Sequence, residues 1–140
     1  MNVSSFVAGM GIVSAIGNDV RANLVSLCEE KTGIGTMQWL SSVRHRALPV
    51  GEVKLSNAEL AAITGLSARL PRTALLSCMA AKETLINAGW EKENTLRTGF
   101  ISANTVGGMD KTEDFFKLYS KKVRIHCYQR WLLVFGSSPP

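Results

Sequence analysis

The sequence predicts an α/β layered fold, on three observations. Short runs of β-formers and small residues at 3–10 (VSSFVAGM) and 97–104 (RTGFISAN) each lead into a glycine-bearing loop. Between and after them lie segments with helical periodicity bounded by capping residues, so that strands and helices alternate. The 46% hydrophobic and 19% charged composition over 140 residues suits one globular domain with a core.

The opening reads as strand, turn and helix. VSSFVAGM is too short for a helix and ends at Gly11, while Asn18 or Asp19 can accept a hydrogen bond from an orphan backbone N–H and start a helix. Behind that cap Val20, Leu24, Leu27 and Cys28 recur on one helical face, with Gly33 as the stop. Residues 35–49 read as loop and 50–54 as a short strand. Ser56 and Glu59 have the spacing of a capping box, and Gly65 closes that short helix. The longest clear helix starts at Pro71 and ends at Gly89. Its stripe Ala74, Cys78, Ala81, Leu85 and Ala88 is mostly small, which predicts close approach to another backbone. After a charged turn over 90–94 comes the second strand, then TVGG, then a helix capped by Asp110 with Glu113. Ligands of such a fold are expected beyond the carboxyl ends of the strands.

The excess of five positive charges is confined to one end. Lys and Arg balance Asp and Glu through Asp114, whereas Lys117, Lys121, Lys122, Arg124 and Arg130 follow with no acid. A neutral region, 1–116, therefore carries a basic tail, 117–140, whose composition breaks from what precedes it and which reads as non-native or disordered. Its cations with Tyr and Trp suit nucleic acid or a membrane surface, but no apolar face is evident along it, and neither partner is expected. No uninterrupted apolar run of about 18 residues is present, no Lys or Arg precedes Arg21, and the expected compartment is the cytoplasm.

The motifs that could carry chemistry each have a plainer reading. Cys28, Cys78 and Cys127 are odd in number and far apart, so they do not form a disulfide framework. With His45 and His126 they give no metal-ligand spacing, and neither metal nor cofactor is expected. A nucleophilic thiol needs a cationic neighbour or a helix N-terminus. Cys28 instead has Glu29 and Glu30 beside it, Cys78 sits on the small-residue stripe, and Cys127, with His126, Arg124 and Arg130 near in sequence, lacks a strand-to-helix elbow. NTVGG at 104–108 is neither GxGxxG nor a phosphate loop, and reads as a tight turn needing positive φ. In GMGIVSAIGN the helix starts too late for a dinucleotide fingerprint.

Several blocks in order do resemble one family. VAGMGIVSAIGNDV, NLVSL, KTGIG, Arg72-Thr73-Ala74 opening a helix with AAKETLINAGW, and RTGFISANTVGGMD are similar to the N-terminal region of β-ketoacyl-acyl-carrier-protein synthases of the elongating kind, over roughly residues 3–116. The resemblance implies a thiolase-like layered fold of which this is an incomplete N-terminal part, a homodimer in the intact family, and acyl transfer from acyl-carrier protein in fatty-acid or polyketide synthesis. That chemistry uses a thiolate at a helix N-terminus, two histidines and backbone donors. No Thr-Ala-Cys-Ser-Ser type string occurs here, and His45 and His126 match neither histidine motif of the family, so no catalytic residue is assigned. The one position carried over is Val106, which precedes Gly107 and Gly108 where the family lines its acyl pocket. The expectation is an acyltransferase by family, inactive as this chain. The alternatives are a non-catalytic subunit that pairs with a full-length synthase, and a binding module that uses the basic tail.

Overall fold

The structure is a computed structural model that describes residues 4–40, 42, 44, 47–90 and 97–135, those from 123 onward by backbone alone. It is a mixed α/β chain: helix α1 (Val20–Cys28), strands β1 (Ile34–Gly35) and β2 (Val50–Gly51), then α2 (Asn57–Thr64), α3 (Arg72–Asn87) and α4 (Met109–Phe135). The two strands pair antiparallel, Ile34 opposite Gly51 and Gly35 opposite Val50.

The helix boundaries follow the capping chemistry. Asp19 Oδ1 accepts the Ala22 N–H at 2.7 Å, which settles the N-cap of α1 on Asp19 rather than Asn18. The Ser56–Glu59 capping box is formed in both directions, and Gly65 ends α2 in the left-handed region at φ 76°. Helix α3 has Pro71 as its N-cap. It ends as a Schellman motif, with the Trp90 N–H on the Leu85 carbonyl and Gly89 left-handed at φ 61°.

Helix α1 stops earlier than Gly33, by a Schellman motif of its own. Lys31 N–H donates to the Ser26 carbonyl and Glu30 N–H to the Leu27 carbonyl, which puts Glu30 at φ 54° where glycine is preferred. A side chain in that conformation crowds its own carbonyl. Glu30→Gly is therefore expected to raise stability by about 0.5–1 kcal/mol, net of the extra chain entropy of glycine, read as a higher denaturation midpoint at unchanged slope.

Three sequence expectations need correction. Neither 4–10 nor 97–103 forms a strand, and Ile101 is 96% exposed. A β-rich run needs a neighbouring strand to satisfy its backbone, and among the described residues none lies beside either segment. Next, α1 does not bury its apolar stripe: Leu24 and Leu27 are 59% and 65% exposed, while Asn23 and Ser26 are buried. The cause is the turn at 14–17, whose carbonyls need donors. Asn23 Nδ2 reaches the Gly17 carbonyl at 2.9 Å and Ser26 Oγ the Ile16 carbonyl at 2.7 Å, while the Ser14 hydroxyl donates to Asn23 Oδ1.

The third correction concerns the close-packed face of α3, which is Ala80, Glu83, Thr84, Asn87 and the C-cap Ala88, so that of the predicted stripe from Ala74 to Ala88 the glycines meet its last member alone. Gly9 and Gly11 lie on it with no room for a Cβ, Asn87 Nδ2 holds the Met10 carbonyl at 2.7 Å, and Glu83 accepts both the Ile12 N–H at 2.9 Å and the Val20 N–H at 2.7 Å. Helix α3 also packs on α2, and Leu60 of α2 and Leu75 of α3 are the fully buried side chains among the described residues. Lys82 Nζ caps the end of α2 at the Ile63 carbonyl, 2.7 Å away. Arg72 ties the start of α3 back to the segment after β2, donating to Asn57 Oδ1 and the Val53 carbonyl, each at 2.9 Å.

Candidate functional site

An open groove of about 290 Å³ lies along the first turns of α3, lined on that side by Thr73, Ala74, Ser77 and Cys78. Its other wall is the segment with Phe100 and Ser102 and the loop with Asn104, Gly107 and Gly108. The loop geometry follows from its residue types. Asn104 Oδ1 accepts the Gly107 N–H at 2.6 Å, and a Cβ on Gly107 would strike that same amide group. Gly108 then turns left-handed at φ 81°, and its carbonyl accepts the N–H groups of Lys111 and Thr112 to start α4.

The positive φ expected of NTVGG is thus present, at Gly108. The cap of α4 is Gly108 and not Asp110, whose carboxylate instead accepts the Arg72 N–H at 3.3 Å and links the starts of α3 and α4. Because Gly107 N–H is already engaged by Asn104, the loop does not present it to an anion.

Val106 stands on this loop but outside the groove lining, 64% exposed. Cys78 is half-buried in the wall, and Cys28 is exposed on the solvent side of α1. His45 lies outside the described residues, and His126 and Cys127 fall in the backbone-only part of α4. The groove offers hydroxyls, an amide and a thiol, with no titratable base among its lining residues to activate any of them. As it stands it can hold a small, partly apolar ligand and has no acid–base pair for chemistry. Among the described residues no cluster of three or more His, Cys, Asp or Glu could hold a metal ion.

Two carboxylates that the sequence reading did not single out organise the chain. Glu83 is described above. Glu52, next to β2, is buried, and its carboxylate accepts the N–H groups of Gln38, Trp39 and Leu40 at 2.7–3.1 Å. Burial works to raise its pKa, but those three N–H groups and the Arg72 guanidinium outweigh burial and hold it below the ordinary glutamate value. Both roles are structural. An acid amid small residues on α3, at the i+3 position from Ala80, was the available signal for Glu83; nothing local marks Glu52.

Compared with known protein families, curated proteins and solved structures, the chain finds no match. Among the described residues no helix is long and apolar enough to cross a membrane.

Proposed function

We propose that this chain is the N-terminal part of a β-ketoacyl-acyl-carrier-protein synthase, built for acyl transfer by ancestry and unable to condense acyl groups alone. The observation that carries the reading is the run of blocks from VAGMGIVSAIGNDV to RTGFISANTVGGMD, in order and at matching intervals over roughly residues 3–116. Two features are in keeping with it. The β-rich segments at 4–10 and 97–103 are largely exposed and form no strand, which is in keeping with sheet neighbours supplied by further chain. The loop with Gly107 and Gly108 walls a partly apolar groove beside α3, a setting suited to one side of an acyl pocket, and Val106 precedes those two glycines on the same loop. Acyl-carrier protein is the donor and a second subunit the neighbour that this reading assigns.

The chemistry requires a thiolate with an activating neighbour, and the chain presents none in its groove. Incubated with radiolabelled acyl-carrier protein, the purified chain is expected to show no acyl adduct by intact-mass spectrometry and no condensation product with malonyl-carrier protein. A stable adduct on Cys78 or Cys127 overturns the inactive part of the proposal. The family part is tested separately by the coding DNA beyond residue 116: a Thr-Ala-Cys-Ser-Ser type continuation in any frame supports it, and three frames without one overturn it.

A further inference from the structure

The longest element, α4, lies apart from the chemistry above. Among the described residues it makes no extended contact with the other helices or strands, and its part from Thr112 to Lys122 is exposed throughout. Two properties coincide there. From Phe115 onward the helix carries Lys117, Lys121, Lys122, Arg124 and Arg130 without an acid, whereas Asp110, Glu113 and Asp114 gather at its N-terminal end. Within the same turns Phe115, Phe116 and Tyr119 stand in solvent, Phe115 and Tyr119 stacked at 6.4 Å between ring centroids.

Water is a poor environment for three neighbouring aromatic rings, and Lys121, Lys122, Arg124 and Arg130, with no acid within a turn of any of them along the helix, repel one another. Both costs fall together against a surface that is anionic outside and apolar just beneath. We propose that α4 is an interfacial helix that docks on an anionic lipid bilayer, its cations at the headgroups and its aromatic residues at the acyl boundary. The sequence of its last turns points the same way: Arg130 is followed by Trp131, Leu132, Leu133, Val134 and Phe135, an apolar end that a phosphate backbone has no use for and that a bilayer accepts. This favours lipid over nucleic acid, and departs from the expectations of no membrane partner and of no apolar face drawn from the tail by itself: the exposed rings of Phe115 and Phe116 stand just ahead of residue 117, with Tyr119 one turn on from Phe115. The inference does not depend on the proposed acyl-transfer ancestry.

The test uses the whole chain and sedimentation with sucrose-loaded vesicles of phosphatidylcholine alone or mixed with phosphatidylglycerol. Partitioning onto the anionic vesicles is expected to exceed that onto neutral ones at least about tenfold, since several cations contribute. It is expected to be lost as salt rises from about 0.1 M to about 1 M, where the screening length falls from ~10 to ~3 Å. Lys121→Gln and Lys122→Gln should each weaken it about fivefold with helicity unchanged by circular dichroism. The pair Phe115→Ser with Phe116→Ser should weaken it while leaving the charge intact. Equal binding to neutral vesicles, insensitivity to salt or to the Lys changes, no binding at all, or tighter binding to duplex DNA than to anionic vesicles would each overturn the proposal.

Discussion

Gly11→Ala is expected to destabilise the chain by about 3 kcal/mol or more, enough to abolish a cooperative unfolding transition in a protein of marginal stability. A Cβ at Gly11 would lie 2.1 Å from the Ala80 carbonyl oxygen and 2.9 Å from the Thr84 nitrogen, and both are helix backbone that cannot turn aside. The segment would have to lift from α3. Lifting it also separates the Ile12 N–H from the Glu83 carboxylate, a charge-assisted hydrogen bond of the class worth about 1.5–3 kcal/mol. Gly35→Ala is the control, because a Cβ there meets only the mobile end of Lys54 at 3.8 Å, and its effect should stay within about 0.5 kcal/mol. Denaturant unfolding of the two variants decides the matter: equal midpoints would show that 9–12 is not seated on α3.

The same region shows what the sequence could and could not announce. Caps were legible because they are local: Asp19, Ser56 with Glu59, Gly65 and Gly89 act on backbone groups within a few residues, and each ends or starts a helix as its chemistry requires. Packing faces were not. The apolar periodicity of Val20, Leu24, Leu27 and Cys28 is a helix signal, but which face of α1 is covered depends on the turn at 14–17, whose carbonyls recruit Asn23 and Ser26. Likewise a small-residue stripe announces close approach on α3 without saying which of two adjacent stripes the glycines will find. The strands missed their pairing for a simpler reason: a β-prone run specifies one side of a ladder, and the other side must come from somewhere else in space.

At the groove the local and non-local parts separate in the same way. The tight turn of NTVGG could be read from its glycines, and Gly108 has the positive φ that reading calls for. That Asn104 would occupy the Gly107 N–H, and that Asp110 would leave its own cap to reach Arg72, 38 residues earlier, depends on where α3 begins in space. Val106 was placed by family resemblance alone; the structure sets it on this loop, exposed and outside the groove lining.

Glu52 should carry the acid sensitivity of the fold. Its folded pKa is lowered, so the stability it contributes is fully present above the unfolded glutamate value of about 4.3 and is lost as pH falls through the lower, folded value. Glu59 is also lowered, by its hydrogen bonds with the Ser56 side chain and backbone, but it is solvent-exposed and remains the same in a variant at position 52. Glu52→Gln removes the charge yet keeps the shape, and puts an amide N–H₂ among three N–H donors that want an acceptor. The expected loss is about 2 kcal/mol at pH 7, with Glu52→Ala worse because the N–H groups of Gln38, Trp39 and Leu40 then have no partner from this side chain. The difference in unfolding free energy between the natural chain and Glu52→Gln should therefore shrink as pH is lowered below about 4, since protonation turns the natural side chain into a neutral one. If that difference stays constant from neutral to acid, the carboxylate charge is not what holds residues 38–40 against β2, and shape alone accounts for the contact.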